Sequence, residues 1–289
     1  MRKKKCKQTY VLVDAFPGMP GKAKLLASFA SCLTPSVTVA AEAITSVDRR
    51  VIYVIYGILR GAGEVLDMCK REGCRFIYVD NAYVNRHRKQ MFSLSWCEMQ
   101  ASTIPSPSPL VSPSRALAVL TEEERKCKFR PGDRHVLVCP PSDEIAALTG
   151  SGAWLAEVVR SVRASSASVP IRIRTKPRIG AAQVVDRALL EIPGVELSPE
   201  NTPAMDDVTS SVCVCAYNSR IAVDAALVGV PVHVSPESVA RPISQRVEDI
   251  ADPKPLSPEL YAEWCNHLCR MQFTRREIAS GAFMSAFPL

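Results

Sequence analysis

The sequence lacks an apolar run long enough to span a membrane. Its longest run, Val51 to Leu59, falls far short of the roughly 20 residues that cross a bilayer. The stretch from Val11 to Phe16 is too short for a signal peptide and is interrupted by Asp14 and followed by Pro17. We therefore expect a cytoplasmic protein with no membrane partner.

Metal-site and disulfide spacings are also missing, although the chain has 11 cysteines. Cys213 and Cys215 lie too close together for a CxxC pair, and Cys265 and Cys269 lie too far apart. The odd count leaves at least one thiol unpaired, and reduced, buried thiols agree with a cytoplasmic chain. No Asp-x-Asp pair is present either, so we expect neither a metal nor another cofactor.

What the chain does have is an ordinary globular composition with a moderate positive charge. Its 289 residues are 47% apolar and 22% charged, which excludes a disordered or collagen-like protein and suggests two domains. The 36 basic residues exceed the 29 acidic ones, and the net charge of +7 favours a polyanionic partner such as a nucleotide or nucleic acid. A basic tip, residues 2–7, is either a solvated terminus or an arm that contacts phosphates.

Apolar runs alternate with helical patterns along the chain. In the first half, runs at Tyr10–Phe16, Arg50–Tyr56 and Arg75–Val79 are separated by helical patterns at Lys22–Cys32 and Gly61–Glu72. In the second half, the runs are His135–Cys139, Ile171–Arg174, Ser211–Cys215 and Pro231–Val234, and the helical patterns are Ala153–Ala164, Ala181–Leu190 and Arg220–Val228. Such alternation is typical of parallel sheets buried on both faces, and it predicts the α/β class.

A segment rich in Pro and Ser, Ala101–Ser114, separates the two halves. The sequence therefore predicts two Rossmann-like domains that face each other across a cleft. The first covers residues 1–115 and ends in this linker, and the second covers residues 116–289. The end of the chain, Pro258–Phe283, has a helical pattern, and we expect its last helix to cross back onto the first domain.

Ligands of open parallel sheets bind beyond the carboxyl ends of the strands, and polar residues follow several predicted strands here. Asn218 and Ser219 stand between a strand and a helix, whose free amides and dipole favour an anion. Asp224 lies inside that helix, five residues before Gly229 and seven before Pro231. An ordinary helix cap followed by a tight turn is the alternative.

This pattern resembles the donor-site signature of GT-B glycosyltransferases, in which an acidic residue, usually Glu, precedes a G-x-P turn. The resemblance implies that the helix start holds the diphosphate of a sugar nucleotide. It also implies that Asp224 meets the ribose hydroxyls.

Two more strand ends carry candidate donor contacts. Arg174 and Lys176 end the run IRIRTKP, where they would neutralise a diphosphate unless this is a solvated basic edge strand. The run is similar to a basic strand-end motif of capsule-type transferases. Ser142, after the first strand of the second half, either reaches a phosphate or lies in a plain turn.

The first half supplies the candidate acceptor side. Arg60 lies in a glycine-containing loop after a strand, which permits close approach to a ligand but does not form the GxGxxG of a dinucleotide site. Asp80, Tyr83 and Arg86 follow the next strand. Asp80 would act as general base on an acceptor hydroxyl or would simply cap a helix, and Asp14 is the competing base.

Six segments in order resemble a family of GT-B-like proteins common in tailed phages and their bacterial hosts: YGILRGAGEVL, YVDNAYVNR, VLVCPPS, IRIRTKP, NSRIAVDAALVGVPV and CRMQFTRREIASGAF. The resemblance runs from about Val51 onward and is loosest over the linker. It implies two Rossmann-like domains, with a sugar-nucleotide donor in the second and an acceptor in the first.

The resemblance therefore implies a metal-independent glycosyltransferase in the host cytoplasm, with a UDP-sugar as the expected donor. For phage members the expected acceptor is a hydroxymethylated pyrimidine in double-stranded DNA. A glycan acceptor is one alternative. The other is a non-catalytic protein of this fold that binds a nucleotide sugar or nucleic acid.

Overall fold

The structure is a computed structural model that describes residues 8–84, 91–104, 114–176 and 185–288. Its strands are β1 (Thr9–Asp14), β2 (Ser36–Ala40), β3 (Val51–Tyr56), β4 (Arg75–Asn81), β5 (Met91–Trp96), β6 (His135–Cys139), β7 (Ile171–Ile173), β8 (Val195–Leu197), β9 (Ser211–Ala216), β10 (Val232–Val234) and β11 (Gln272–Thr274). Its α-helices are α1 (Pro20–Ala30), α2 (Ala62–Glu72), α3 (Ser114–Val119), α4 (Glu122–Arg125), α5 (Asp143–Thr149), α6 (Trp154–Ser165), α7 (Arg187–Leu190), α8 (Ala204–Ser210), α9 (Ile221–Val228), α10 (Pro258–Arg270) and α11 (Arg275–Ala279). Short 3-10 turns connect several of them.

The chain forms two compact units, residues 1–101 with 270–289 and residues 102–269. Each unit is built on one sheet, and parallel pairs dominate both sheets. The α/β class predicted from the sequence is therefore confirmed. The cleft between two domains stays a prediction.

In the first unit the strand order is β11-β5-β4-β3-β1-β2. β1 to β4 run parallel, whereas β5 and β11 are antiparallel additions at one edge. The chain moves to one side of β1 to form β2 and then to the other side to form β3. Such a reversal makes a crevice at the carboxyl ends of the two strands that flank it, here β1 and β3.

The second unit repeats the principle with the order β10-β9-β6-β7-β8, in which neighbouring strands pair parallel. Here the chain reverses between β6 and β9. Cys139 and Ala216, the last residues of those two strands, are direct neighbours. The crevice of this unit therefore opens directly after Cys139 and Ala216.

Each sheet has its own apolar core. Leu12, Ile52 and Phe29 of the first unit are fully buried, where β1 and β3 pack against α1. In the second unit Val136 and Val159 are fully buried, because a central strand packs against α6. The two sheets thus have separate apolar cores.

The end of the chain differs from its helical prediction. α10 stops at Arg270, and Gln272–Thr274 forms β11, which pairs antiparallel with β5. Gln272 is fully buried, its Oε1 accepts a hydrogen bond from the Val84 amide, and Thr274 starts α11 with a capping box to Glu277. Helix was the wrong prediction for this stretch because pairing at a sheet edge outweighed local propensity.

Besides β11, three strands of the described part of the chain were not predicted, β2, β5 and β8, and neither were several short helices, among them α8. The predicted helix at 181–190 is described only from residue 185, and there α7 covers Arg187–Leu190. The basic tip and most of the Pro- and Ser-rich segment lie outside the described residues. Over the part of the chain that the structure describes, no helix has the length and apolarity to cross a membrane.

Burial of His135 makes the stability of the second unit depend on pH. His135 is the first residue of β6 and is 2% exposed. Burial lowers the pKa of its imidazole below the ordinary 6.5, and the charge of Arg172 lowers it further. A lowered pKa means that the folded state favours the neutral ring. The contribution of His135 to the free energy of unfolding is therefore fully present above about pH 6.5 and declines as the pH falls below that value.

We expect His135→Leu to flatten the decline of the free energy of unfolding between about pH 7 and pH 5. Urea titrations at several pH values measure the slope. Some slope remains in the variant, because burial also lowers the pKa of His233. An unchanged slope would contradict the assignment to His135.

Candidate functional site

The crevice of the first unit is a pocket between β1, β3 and the start of α1. It encloses about 200 Å³ of space that is open to solvent. Eight residues line it: Val13, Asp14, Ala15, Phe16, Lys22, Leu25, Leu26 and Tyr56. Val13 pairs with Ile55 across the sheet, so the next residues along, Asp14 and Tyr56, end their strands at the same level. Topology and pocket therefore indicate the same place.

Aromatic rings and cations meet at this pocket. The rings of Phe16 and Tyr56 pack edge to face with centroids 5.9 Å apart. Lys22 Nζ lies 3.3 Å from the centroid of the Tyr56 ring and 5.5 Å from that of Phe16. Arg60 Cζ lies 5.2 Å from the Phe16 centroid. Two cations are thus held against aromatic rings at the end of the sheet.

Two carboxylates belong to the same sheet end. Asp14 Oδ1 accepts a hydrogen bond of 2.9 Å from the Phe16 amide, and Asp80 Oδ1 accepts one of 2.7 Å from the Asn81 amide. Burial lowers the pKa of Lys22, and the charge of Asp80 opposes this shift. Burial and Asp80 together raise the pKa of Tyr56 to about 12. The charge of Asp80 thus acts on both the amine and the phenol.

The other predicted acceptor residues differ in placement. Arg60 has a φ of 54°, an uncommon backbone conformation for a residue with a side chain. Tyr83 is only 7% exposed, and burial raises its pKa, with a further contribution from Asp80. Arg86 lies outside the described residues. The roles predicted for Asp14, Asp80, Arg60, Tyr83 and Arg86 stay predictions.

The crevice of the second unit gathers polar groups from two strand ends. Ser142 precedes α5 after β6, and Asn218 and Ser219 precede α9 after β9. Ser219 is exposed, and its Oγ accepts a long hydrogen bond of 3.4 Å from the Ile221 amide. The ring of Tyr217, the residue before Asn218, packs edge to face against that of Trp154 with centroids 5.7 Å apart. Ser142, Asn218 and Ser219 thus follow two neighbouring strand ends, and their donor-binding roles stay predictions.

Asp224 has a partner on its own helix. Its Oδ1 accepts hydrogen bonds of 3.3 and 3.2 Å from Nε and Nη2 of Arg220, one turn earlier. The Asp224 side chain is 28% exposed. Its predicted ribose contact stays a prediction.

The turn after α9 explains the glycine of the G-x-P pattern. Gly229 has a φ of 95°, and a Cβ there would lie 2.6 Å from Lys128 Cβ. The Gly229 carbonyl accepts a hydrogen bond of 2.8 Å from the Arg130 amide. Both the backbone conformation and the close approach require glycine.

We expect Gly229→Ala to lower the free energy of unfolding by about 1–3 kcal/mol, because strain and overlap add. Gly150→Ala is the matched control, since Gly150 ends α5 with a φ of 67° and has no atom within 4 Å of a built Cβ. Urea unfolding of both variants gives the comparison. Equal losses would show that the contact with Lys128 contributes nothing.

Arg174, a predicted diphosphate contact, donates hydrogen bonds to three other residues of the second unit. Its Nη1 donates to Asp207 Oδ2 at 2.6 Å and to Ser198 Oγ at 2.9 Å, and its Nη2 donates to the Thr202 carbonyl at 2.9 Å. Lys176 is exposed. The contacts favour a structural role for Arg174, and the donor role of Arg174 and Lys176 stays a prediction.

Asp207 is the centre of this network, and the sequence analysis did not identify it. Its side chain is 0% exposed, and Arg172 Nη1 donates to its Oδ1 at 3.0 Å. Burial would raise the pKa of Asp207, but hydrogen bonds from Ser198, Arg172 and Arg174 outweigh it and lower the pKa. The alternating arginines of IRIRTKP thus both bind one buried carboxylate.

We expect Asp207→Asn to lower the free energy of unfolding by about 3–5 kcal/mol, because both guanidinium groups lose their buried counter-charge. Chemical denaturation at neutral pH measures the loss. Glu191→Gln, which removes the exposed partner of Arg187, is the control and should change little. A loss in Asp207→Asn no larger than in the control would contradict this account.

Comparisons with known proteins give structural neighbours alone. No protein-family model matches the chain, and no curated protein matches it. The β-Kdo 2,7-transferase of Thermosulfurimonas dismutans KpsC is similar at a TM-score of 0.48 and 10% identity, over 97% of this chain and 100% of that one. The β-Kdo 2,4-transferase of the same KpsC is similar at 0.47 and 12%, over 91% and 98%. Both TM-scores lie below 0.5, so the fold class rests on the two sheets and the site on this chain's own residues.

Proposed function

We propose that the chain is a glycosyltransferase that moves a sugar from a nucleotide sugar to an acceptor hydroxyl. The observation that carries the proposal is the presence of two doubly wound units whose crevices offer different chemistry. The crevice of the second unit has hydroxyl and amide groups before a helix, and that of the first has carboxylates beside aromatic rings.

The donor belongs in the second unit. The positive dipole end of α9, with Asn218 and Ser219 before it, suits the diphosphate of the leaving nucleotide. Ser142 approaches from the end of β6, and Lys176 adds positive charge after β7. Arg174, bound to Asp207, would then hold β7 in place instead of contacting the donor. In this proposal Asp224 contacts the ribose hydroxyls, and a UDP-sugar is the donor.

The acceptor belongs in the first unit. Asp80 would take the proton from the attacking hydroxyl, with Asp14 as the competing base. Cations and amides assist the departure of the nucleotide in this proposal. A metal has no part in it, because the sequence has no Asp-x-Asp pair. Arg60, Tyr83 and Arg86 complete the proposed acceptor side.

For the acceptor itself, the sequence suggests a hydroxymethylated pyrimidine in phage DNA. Its support is the net charge of +7, the basic residues 2–7 and the family resemblance. Salt-sensitive binding of duplex DNA is expected if this acceptor is right. A glycan acceptor, or a non-catalytic protein that only binds the nucleotide sugar, are the other outcomes.

The test separates donor binding from turnover. Calorimetry with UDP-, GDP- and CMP-sugars is expected to find one that binds, and Asp80→Asn is expected to keep that affinity while turnover on hydroxymethylated DNA or a glycan falls by about 10²–10⁴-fold. Asp14→Asn tests the competing base. Asp67→Asn is the control, because that carboxylate lies on the exposed face of α2 and pairs with Arg71.

Binding of none of these nucleotide sugars would end the proposal. Binding without turnover on either acceptor would favour the non-catalytic alternative. Full turnover in Asp80→Asn together with loss of turnover in Asp14→Asn would identify Asp14, the last residue of β1, as the general base.

A further inference from the structure

The sheet of the first unit ends in an exposed edge strand, β2. This strand lies last in the strand order and pairs with β1 on one side. Val37 and Thr38, in the middle of β2, are both exposed, Val37 at 49%. An edge strand of this kind presents main-chain donors and acceptors to which a further strand can bind.

The register with β1 shows which main-chain groups of β2 face outward. Tyr10 lies opposite the first residue of β2, and its amide donates a hydrogen bond of 3.0 Å to the carbonyl of Pro35. Main-chain groups alternate between the two sides of a strand, so every second residue from Pro35 onward faces β1. In the described part of the chain, the outward groups of the remaining residues have no hydrogen-bond partner. These residues are Ser36, Thr38 and Ala40.

The other sheet edges of the described chain are protected, each in a different way. The outer side of β10 is covered, because the Gln245 amide donates a hydrogen bond of 2.6 Å to the Val232 carbonyl. β11 is buried, since Gln272 is 0% exposed. β8 is only three residues long and has the charged Glu196 at its centre. β2 has five residues with neither a charge nor a proline among them, so it lacks these protections.

The sequence of β2, SVTVA, is complementary to itself in the antiparallel direction. When two copies pair about Thr38, Ser36 of each copy lies opposite Ala40 of the other, and all three outward-facing residues are paired. In the same register the exposed Val37 lies opposite Val39. Cross-strand pairs of β-branched residues stabilise a sheet, and no like charges meet here. The occupant that fits this edge is therefore a second β2.

We propose that β2 is a dimer interface at which two copies of this chain pair antiparallel and join their first-unit sheets into one. Each of the three outward-facing residues then exchanges two hydrogen bonds with its counterpart. The pairing closes on itself, because both copies use the same strand and the opposite edge of the sheet, β11, is buried. A dimer is therefore expected, and a fibre is not. The inference does not depend on the proposed function.

Sedimentation velocity of the full chain at concentrations from about 1 to 300 µM measures the association. One pair of short strands is a small interface, so we expect monomers at the lower concentrations and dimers at the higher ones. A reducing agent prevents disulfides between copies through the exposed Cys97.

Thr38→Lys places two ammonium groups opposite each other on the twofold axis, and we expect it to weaken dimerisation by more than about tenfold. Thr38→Glu is expected to do the same. An equal mixture of these two variants should restore the dimer, because opposite charges then meet. Leu197→Lys is the matched control, since it adds the same charge at an exposed position of the other edge strand, β8, and should change nothing.

Circular dichroism confirms that each variant is folded. If the Thr38 variants are not folded, Val37→Lys decides, because it removes the contact with Val39 and should also weaken the dimer.

A chain that stays monomeric up to the highest concentration would overturn the proposal and leave this edge to a strand of another protein. A dimer that a folded Thr38→Lys variant does not weaken, or a mixture of the two charged variants that stays monomeric, would also overturn it. The proposed function is tested separately, because Thr38→Lys should leave nucleotide-sugar binding unchanged.

Discussion

Parallel pairing of neighbouring strands is the constraint on which the candidate sites depend. It makes β1 and β3 end at one level in the first unit, and β6 and β9 in the second. The chain reverses direction between the strands of each pair, so no crossover covers the space above them. Residues far apart in sequence, such as Asp14 and Tyr56, line one pocket for that reason.

The same constraint explains how much of the fold could be predicted. Buried strands such as β3 and β6 are continuous apolar runs, and the structure places them within a residue of the prediction. β2 and β8 lie at sheet edges and are short, so their apolar pattern is weak. β11 was mistaken for helix because its partner, β5, lies about 180 residues earlier, and no local pattern reports such a contact.

Strand ends can be read from the sequence, whereas side-chain contacts cannot. Strand ends pointed to Ser142, Asn218 and Ser219, which follow β6 and β9 in the structure, and their donor-binding roles stay predictions. Position alone did not reveal that Arg174 faces a buried carboxylate, because Asp207 looks like an ordinary residue of a short helix. Lys22 gave no signal either, since its contact with the Tyr56 ring joins residues from two separate βα units.

The central claim is that the crevice between β6 and β9 receives the diphosphate of a nucleotide sugar. A crystal of the chain soaked with UDP-, GDP- and CMP-sugars tests it most directly, because one density map locates the phosphates and identifies the nucleobase of the bound donor. The account predicts phosphate density at the start of α9, within hydrogen-bond distance of Ser219. Density for the nucleotide at any other place, or a crevice filled by the protein's own side chains, would contradict it.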